Sequence, residues 1–123
     1  MKRLFKSFGY AWQGIRSVFT TESNMKIHAG VACLAVCLGF LFKISPLEWI
    51  AIVICIGLVF SAEMFNTAFE TLTDKVSPKQ DETAGRVKDI AAGGVLLAAI
   101  ISVVVGLIVF LPKLITCMGL NCQ

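Results

Sequence analysis

Three long apolar runs constrain this chain more than any other feature. The first extends from about Ile27 to Phe42 and ends at Lys43, the second from Leu47 to about Thr71, and the third from Ile90 to Leu111. A hydrocarbon core about 30 Å thick is crossed by roughly 20 helical residues. Each run therefore fits one crossing, the first only if Lys26 and His28 sit at its edge. In lipid every backbone amide must be satisfied internally, which separate apolar runs achieve as helices. Composition agrees: 57% of the 123 residues are hydrophobic and 15% charged, against roughly 45–50% and about 25% in an ordinary soluble domain. Mean hydropathy is +0.82. Too few polar residues remain to cover a core with a water-facing surface. The expected class is an all-α membrane protein.

The N-terminal stretch is of another kind. Leu4, Phe5, Phe8, Trp12, Ile15 and Phe19 fall within about 100° of arc at roughly 100° per residue. Lys2, Lys6 and Gln13 take the far side, with Arg16 at the border. A soluble helix packed on a core would show the same stripe. Beside membrane spans, a basic helix with Phe and Trp on its apolar face is expected to lie in the lipid interface. The organisation that follows is a single domain over 1–113, with an amphipathic surface helix at 1–24 and spans at 27–44, 47–71 and 90–111. A weakly ordered tail occupies 114–123. Thr20 to Asn24 supplies a break and a helix cap, Ile44-Ser45-Pro46 a tight turn, and Trp49 an interface anchor. Met1 to Leu4 is basic but lacks an uninterrupted apolar segment and a small-residue cleavage site, so no removable signal peptide is expected.

Lysine and arginine positions set the orientation. The N-terminal region holds five (Lys2, Arg3, Lys6, Arg16, Lys26) and the 72–89 loop four (Lys75, Lys79, Arg86, Lys88), while the 43–46 turn and the tail hold one each (Lys43, Lys113). This asymmetry places the N-terminus and the 72–89 loop in the cytoplasm. The tail then faces outward, where Cys117 and Cys122 meet oxidising conditions. Cys33, Cys37 and Cys55 lie in apolar runs, where a thiol behaves as a small hydrophobe. No cysteine–histidine spacing of a zinc site occurs. Gly94, Ala98, Ser102 and Gly106 form an i, i+4 ladder of small residues that permits close helix packing, within a subunit or between subunits.

The second run carries the chemistry. Glu63, Asn66, Glu70 and Asp74 stand at i, i+3, i+7 and i+11, within about 80° at helical spacing. Glu70 and Asp74 are also explained by a helix end beyond the bilayer. Glu63 is not, because it follows the apolar stretch Ile50 to Phe60 within one helical turn. An acidic side chain at the centre of a membrane helix costs a few kcal/mol even on mild insertion scales, so such groups face a bundle interior. A carboxylate there suits a general base or a proton carrier. Its neighbours along the helix are hard oxygen ligands of the kind that hold Mg²⁺ together with phosphates. Lys88 and Asp89 enter the third run from the same side, with Lys88 suited to phosphate, although a positive-inside flank looks identical. Glu22 is a third acidic group at that face. Carboxylates, a base and cations at one depth point to phosphoryl transfer onto a lipid hydroxyl. No GxxxxGK[ST] loop is present. Two other classes compete. In one, the chain is a proton-coupled channel or transporter component with Glu63 as carrier, but the outer half offers only Lys43 and Glu48. In the other it is a membrane assembly protein, which leaves Glu63 and Asn66 unexplained.

The string Glu63-x-x-Asn66-Thr67-Ala68-x-Glu70-x-x-x-Asp74 resembles the signature of the small bacterial integral-membrane diacylglycerol kinases and their undecaprenol kinase relatives. The similarity runs from about Arg3 to Pro112, through Gly9-Tyr10-x-Trp12-x-Gly14-x-Arg16, Thr21-Glu22 and Gly85-Arg86-x-Lys88-Asp89. The resemblance implies a trimeric helical bundle in the bacterial inner membrane, with each active site shared between neighbouring subunits. It implies transfer of the γ-phosphoryl group of Mg²⁺-bound ATP to undecaprenol or diacylglycerol, in phospholipid or lipid-carrier metabolism, and no nucleic-acid partner. By position, Glu63 resembles the catalytic base, Glu22 and Glu70 the metal ligands, and Asn66 a supporting residue. Arg3, Tyr10, Asp74, Lys88 and Asp89, with Glu22 and Glu70, resemble nucleotide contacts, and Arg16 with Glu63 substrate contacts. One stretch departs from the pattern. Where the best-known diacylglycerol kinases have an acidic-aromatic-histidine run, this chain has Lys79-Gln80-Asp81, so adenine contacts there are expected to differ. Asn24-x-Lys26-Ile27-His28 is closer to the undecaprenol kinase branch, with His28 itself expected as a polar residue at the membrane edge.

Overall fold

The computed structural model describes residues 1–119. Among these, four helices follow in order: α1 (Lys2–Thr21), α2 (Ser23–Leu41), α3 (Pro46–Val76) and α4 (Glu82–Cys117). The last three are each long and apolar enough to cross a membrane.

Glu22 alone separates α1 from α2. Its extended backbone (φ −92°, ψ 119°) ends one helix and begins the next, so the surface helix stops at Thr21 and not at residue 24. Most of the α1 stripe (Leu4, Phe5, Phe8, Trp12) is exposed. Only the last turn is held by the bundle, with Val18 buried and the Phe19 ring edge-on to Phe60 of α3 at 5.1 Å. The remaining apolar face is left for lipid, as an interfacial helix requires.

The α2–α3 connection is short and fully bonded. The Ser45 hydroxyl accepts the Glu48 amide at 3.2 Å and the Glu48 carboxylate accepts the Ser45 amide at 2.9 Å. This capping box, with Pro46 opening the helix, satisfies amides that a helix start otherwise leaves free. Lys43 precedes it in the left-handed region (φ 52°). Lys113 of α4 reaches back to Glu48 at 3.1 Å. The Trp49 ring packs against Phe40 with centroids 4.8 Å apart and lies over Gly39, so this residue is a packing element of the α2–α3 corner.

Helices α3 and α4 pack along much of their length. Ala98 is buried, and the Ser102 hydroxyl bonds to the Ala98 carbonyl at 2.9 Å and to Cys55 of α3 at 3.4 Å. The middle of the small-residue ladder is therefore spent on packing within the chain. The 31 residues of α3 and 36 of α4 extend about 46 and 54 Å at 1.5 Å per residue, well beyond a core of about 30 Å. Much of the excess forms a helical hairpin where a polar loop over 72–89 was expected. Asp81 caps α4 by accepting the Ala84 amide at 2.8 Å, so α4 starts at Glu82 and not at Ile90. At its other end α4 continues through Pro112 to Cys117. The expected weakly ordered tail is thus helical at its start, because Leu114 and Ile115 prolong the apolar run and membrane helices tolerate a proline. Cys117 is a free, exposed thiol; Cys122 lies outside the described residues.

Candidate functional site

Helix α3 sets the depth of the acidic line. Glu63 stands about 26 Å along the axis from Pro46, Glu70 about 10 Å further and Asp74 about 6 Å beyond that, at 1.5 Å per residue. With Pro46 at one boundary of a core of about 30 Å, Glu63 falls inside it and Glu70 and Asp74 fall past it.

Glu63 (1% exposed) and Asn66 (6%) are the buried polar side chains of the described residues. His28 of α2 approaches Glu63, with Nε2 at 3.6 Å from Oε2. The Asn66 amide donates to Glu70 Oε1 at 3.3 Å. That leaves Glu63 Oε2, Asn66 Oδ1 and Thr67 Oγ1 buried without hydrogen-bond partners among the described residues. These positions are i, i+3 and i+4, one helix face. Buried polar atoms are normally bonded, so three orphans side by side mark a place where a further group belongs. The acidic side chains whose charge reaches Glu63 are Glu70 on the same helix and the half-buried Glu22 at the α1–α2 junction.

A second group lies on the helical hairpin. Lys88 hydrogen-bonds Asp74, and Gln80 donates to the same carboxylate oxygen at 3.3 Å. Asp89 is exposed beside Lys88. Arg3, Tyr10 and Arg16 stand exposed on α1, with no hydrogen bond or ion pair to either group among the described residues. The chain thus sets His28 beside Glu63, joins Asn66 to Glu70 and Asp74 to Lys88, and leaves Glu22 and the α1 residues without a hydrogen bond or ion pair to these groups among the described residues. His28, Thr67 and Gln80 were not singled out by spacing as site residues. For His28 the available signal was that the chain's one histidine begins an apolar helix. Asp81, in the stretch that departs from the family pattern, is occupied as a helix cap.

Between α2, α3 and α4 runs an apolar groove of about 450 Å³. Val31, Leu38, Ile52, Val59, Val103 and Phe110 contribute to its walls, and His28 lines the end nearest Glu63. A smaller recess of about 190 Å³ between α3 and α4 is lined by Asn66 and Gly94. No three His, Cys, Asp or Glu side chains gather into a metal cage among the described residues. Mg²⁺ does not need one, since it is commonly held by one or two carboxylates together with substrate phosphates. Glu70 and the unpartnered Asn66 Oδ1, on side chains joined to each other, are oxygen donors that fit that mode.

The sequence has relatives among known proteins. The family described as prokaryotic diacylglycerol kinase matches residues 9–110. An undecaprenol kinase of Bacillus subtilis is 44% identical over 114 residues, which cover 93% of each chain. A diacylglycerol kinase of Synechocystis is 36% identical over 94% of this chain and 66% of its own. The diacylglycerol kinase of Escherichia coli K12 is 28% identical over 83% of this chain and 84% of its own.

Proposed function

The chain belongs to the prokaryotic diacylglycerol kinase family and is a membrane lipid kinase that transfers a phosphoryl group to a lipid alcohol; from that premise we propose that Glu63 is the base at which this transfer occurs. The observation that carries the assignment is a carboxylate 1% exposed, one helical turn beyond an apolar groove that ends at His28. The groove accepts the hydrocarbon part of the lipid, and its polar end presents the hydroxyl to Glu63. Glu63 takes the hydroxyl proton as the new O–P bond forms and the bond from Pγ to the β,γ-bridging oxygen breaks, releasing ADP. ATP is the donor. Glu22 and Glu70 would hold Mg²⁺, and Asn66 fixes Glu70 through the 3.3 Å hydrogen bond. When bound, the metal neutralises phosphate charge that develops during transfer.

Lys88, Asp74 and Asp89 on the hairpin, and Arg3 and Tyr10 on α1, contact the nucleotide, while Arg16 contacts the lipid headgroup region. In one protomer the α1 residues make no polar contact with the carboxylates, and large apolar faces of α2 and α4 remain exposed. The first observation supports sites completed by a neighbouring subunit, in an assembly we take to be a homotrimer, while the apolar faces are free for lipid or for that neighbour. The N-terminus and the hairpin face the cytoplasm, a reading supported by the lysine and arginine asymmetry, and the membrane is the bacterial inner membrane. The acceptor is undecaprenol or diacylglycerol; the relative that is 44% identical is named for the first, which is therefore the alcohol to test first.

The test uses purified protein in detergent, ATP labelled at the γ-phosphate, Mg²⁺, and each lipid in turn. Label is expected in undecaprenol, and Glu63→Gln is expected to lower turnover by about 10²–10⁴-fold, the usual contribution of a general base. A folded Glu63→Gln protein that turns over like the parent refutes the base assignment.

A further inference from the structure

We propose that His28 is a positioning residue for the reaction, holding the Glu63 carboxylate in the orientation that receives the lipid hydroxyl. The inference rests on the assignment of Glu63 as base. Glu63 sits on α3 with its charge opposed by Glu70 on the same helix and Glu22 at the α1–α2 junction. The group of opposite character in reach is the imidazole of His28, delivered from α2, with Nε2 at 3.6 Å from Oε2. That oxygen has no hydrogen-bond partner among the described residues. A separation of 3.6 Å is longer than a hydrogen bond, and catalytic hydrogen bonds in a substrate-free site are commonly long and shorten once substrate is bound.

The position of His28 suits this role in a second way. Its side chain is 20% exposed while that of Glu63 is 2% exposed, and it lines the groove at the Glu63 end. A lipid entering the groove passes the imidazole before its hydroxyl meets the carboxylate. Closing the Nε2–Oε2 distance fixes Oε2 and leaves Oε1 to accept the hydroxyl proton. Without the imidazole the carboxylate is free to rotate about its terminal torsion, and a misplacement of about 1 Å costs on the order of 10²-fold in rate.

The experiment compares His28→Leu, which keeps bulk and removes the donor, with His28→Gln, which returns an N–H near the same place. Both are assayed in the full-length protein with labelled ATP and the better lipid acceptor. His28→Leu is expected to lower kcat roughly 10–100-fold, with KM for ATP changed less than about twofold, and His28→Gln to recover at least a few-fold of the loss. On a Glu63→Asp background, whose shorter side chain no longer reaches the imidazole, His28→Leu is expected to cost less than about twofold. A kcat for His28→Leu within about twofold of the parent overturns the proposal. So does equal impairment of the Leu and Gln variants, which would mean that shape and not the donor matters. If His28→Leu assembles differently by size-exclusion chromatography, the His28→Gln rate on the two Glu63 backgrounds decides, and an identical cost on both overturns the proposal. Glu63→Gln, measured alongside, separates the failures. Activity retained there removes the base assignment itself, whereas an inactive Glu63→Gln beside a fully active His28→Leu removes only the role of His28.

Discussion

Gly39→Ala offers a sharp test of the corner between α2 and α3. A Cβ at Gly39 would stand 2.6 Å from Trp49 Cη2, 2.9 Å from Cζ2 and 3.1 Å from Cζ3. Carbon atoms in good contact lie about 3.5–4.0 Å apart, so the indole ring must withdraw by about 1 Å. It has little freedom to do so. Trp49 belongs to the first turn of α3, which the Ser45–Glu48 capping box holds, and its ring already packs on Phe40. Overfilling a packed site costs about 1–3 kcal/mol, while replacing glycine inside a helix returns up to about 1 kcal/mol. The expected net is a destabilisation of about 1–2 kcal/mol. Gly30, on the same helix, has nothing within 4 Å of a built Cβ, so Gly30→Ala is expected to be neutral or slightly stabilising. Equilibrium unfolding in mixed detergent micelles, followed by tryptophan fluorescence and by residual kinase activity, measures both. Gly39→Ala paired with Trp49→Leu is expected to regain most of the loss. Equal stability of Gly39→Ala and Gly30→Ala would show that the indole does not lie over Gly39.

Other perturbations address the site and its orientation. Glu22→Gln and Glu70→Gln are expected to raise the Mg²⁺ concentration needed for half-maximal activity several-fold, because a neutral amide is a poorer ligand for a hard cation; superimposable metal titrations would argue against both as ligands. Lys88→Met removes the pair with Asp74, whose side chains are 23% and 54% exposed. Such pairs contribute about 0.2–1 kcal/mol, so stability is expected to change little while KM for ATP rises; a large loss of stability with unchanged KM would make the pair structural. In a variant whose only cysteine is Cys117, which is exposed at the end of α4, a membrane-impermeant maleimide is expected to label intact spheroplasts. Labelling only after lysis would reverse the proposed orientation.

Much of the molecule was set by local pattern. Three apolar runs dictated three membrane helices, because a single long apolar run in lipid satisfies its amides within itself only as a helix. The 3.6-residue period placed Glu63, Asn66, Glu70 and Asp74 on one line before any packing was known, and the resemblance of that line to a kinase signature agrees with the family that matches residues 9–110. Helix ends were less legible. Whether Ser77 to Asp89 forms a loop or a hairpin depends on the Asp81 cap and on the support α3 gives α4, neither of which hydropathy registers. The small-residue ladder was equally compatible with contacts inside a subunit or between subunits, and the bond from Ser102 to the Cys55 carbonyl of α3 assigns its middle to the subunit's own core. The partner of Glu63 was beyond the sequence altogether. His28 and Glu63 lie on different helices, so no spacing relates them; only the packing of α2 against α3 brings a histidine at a membrane edge to 3.6 Å from a buried carboxylate.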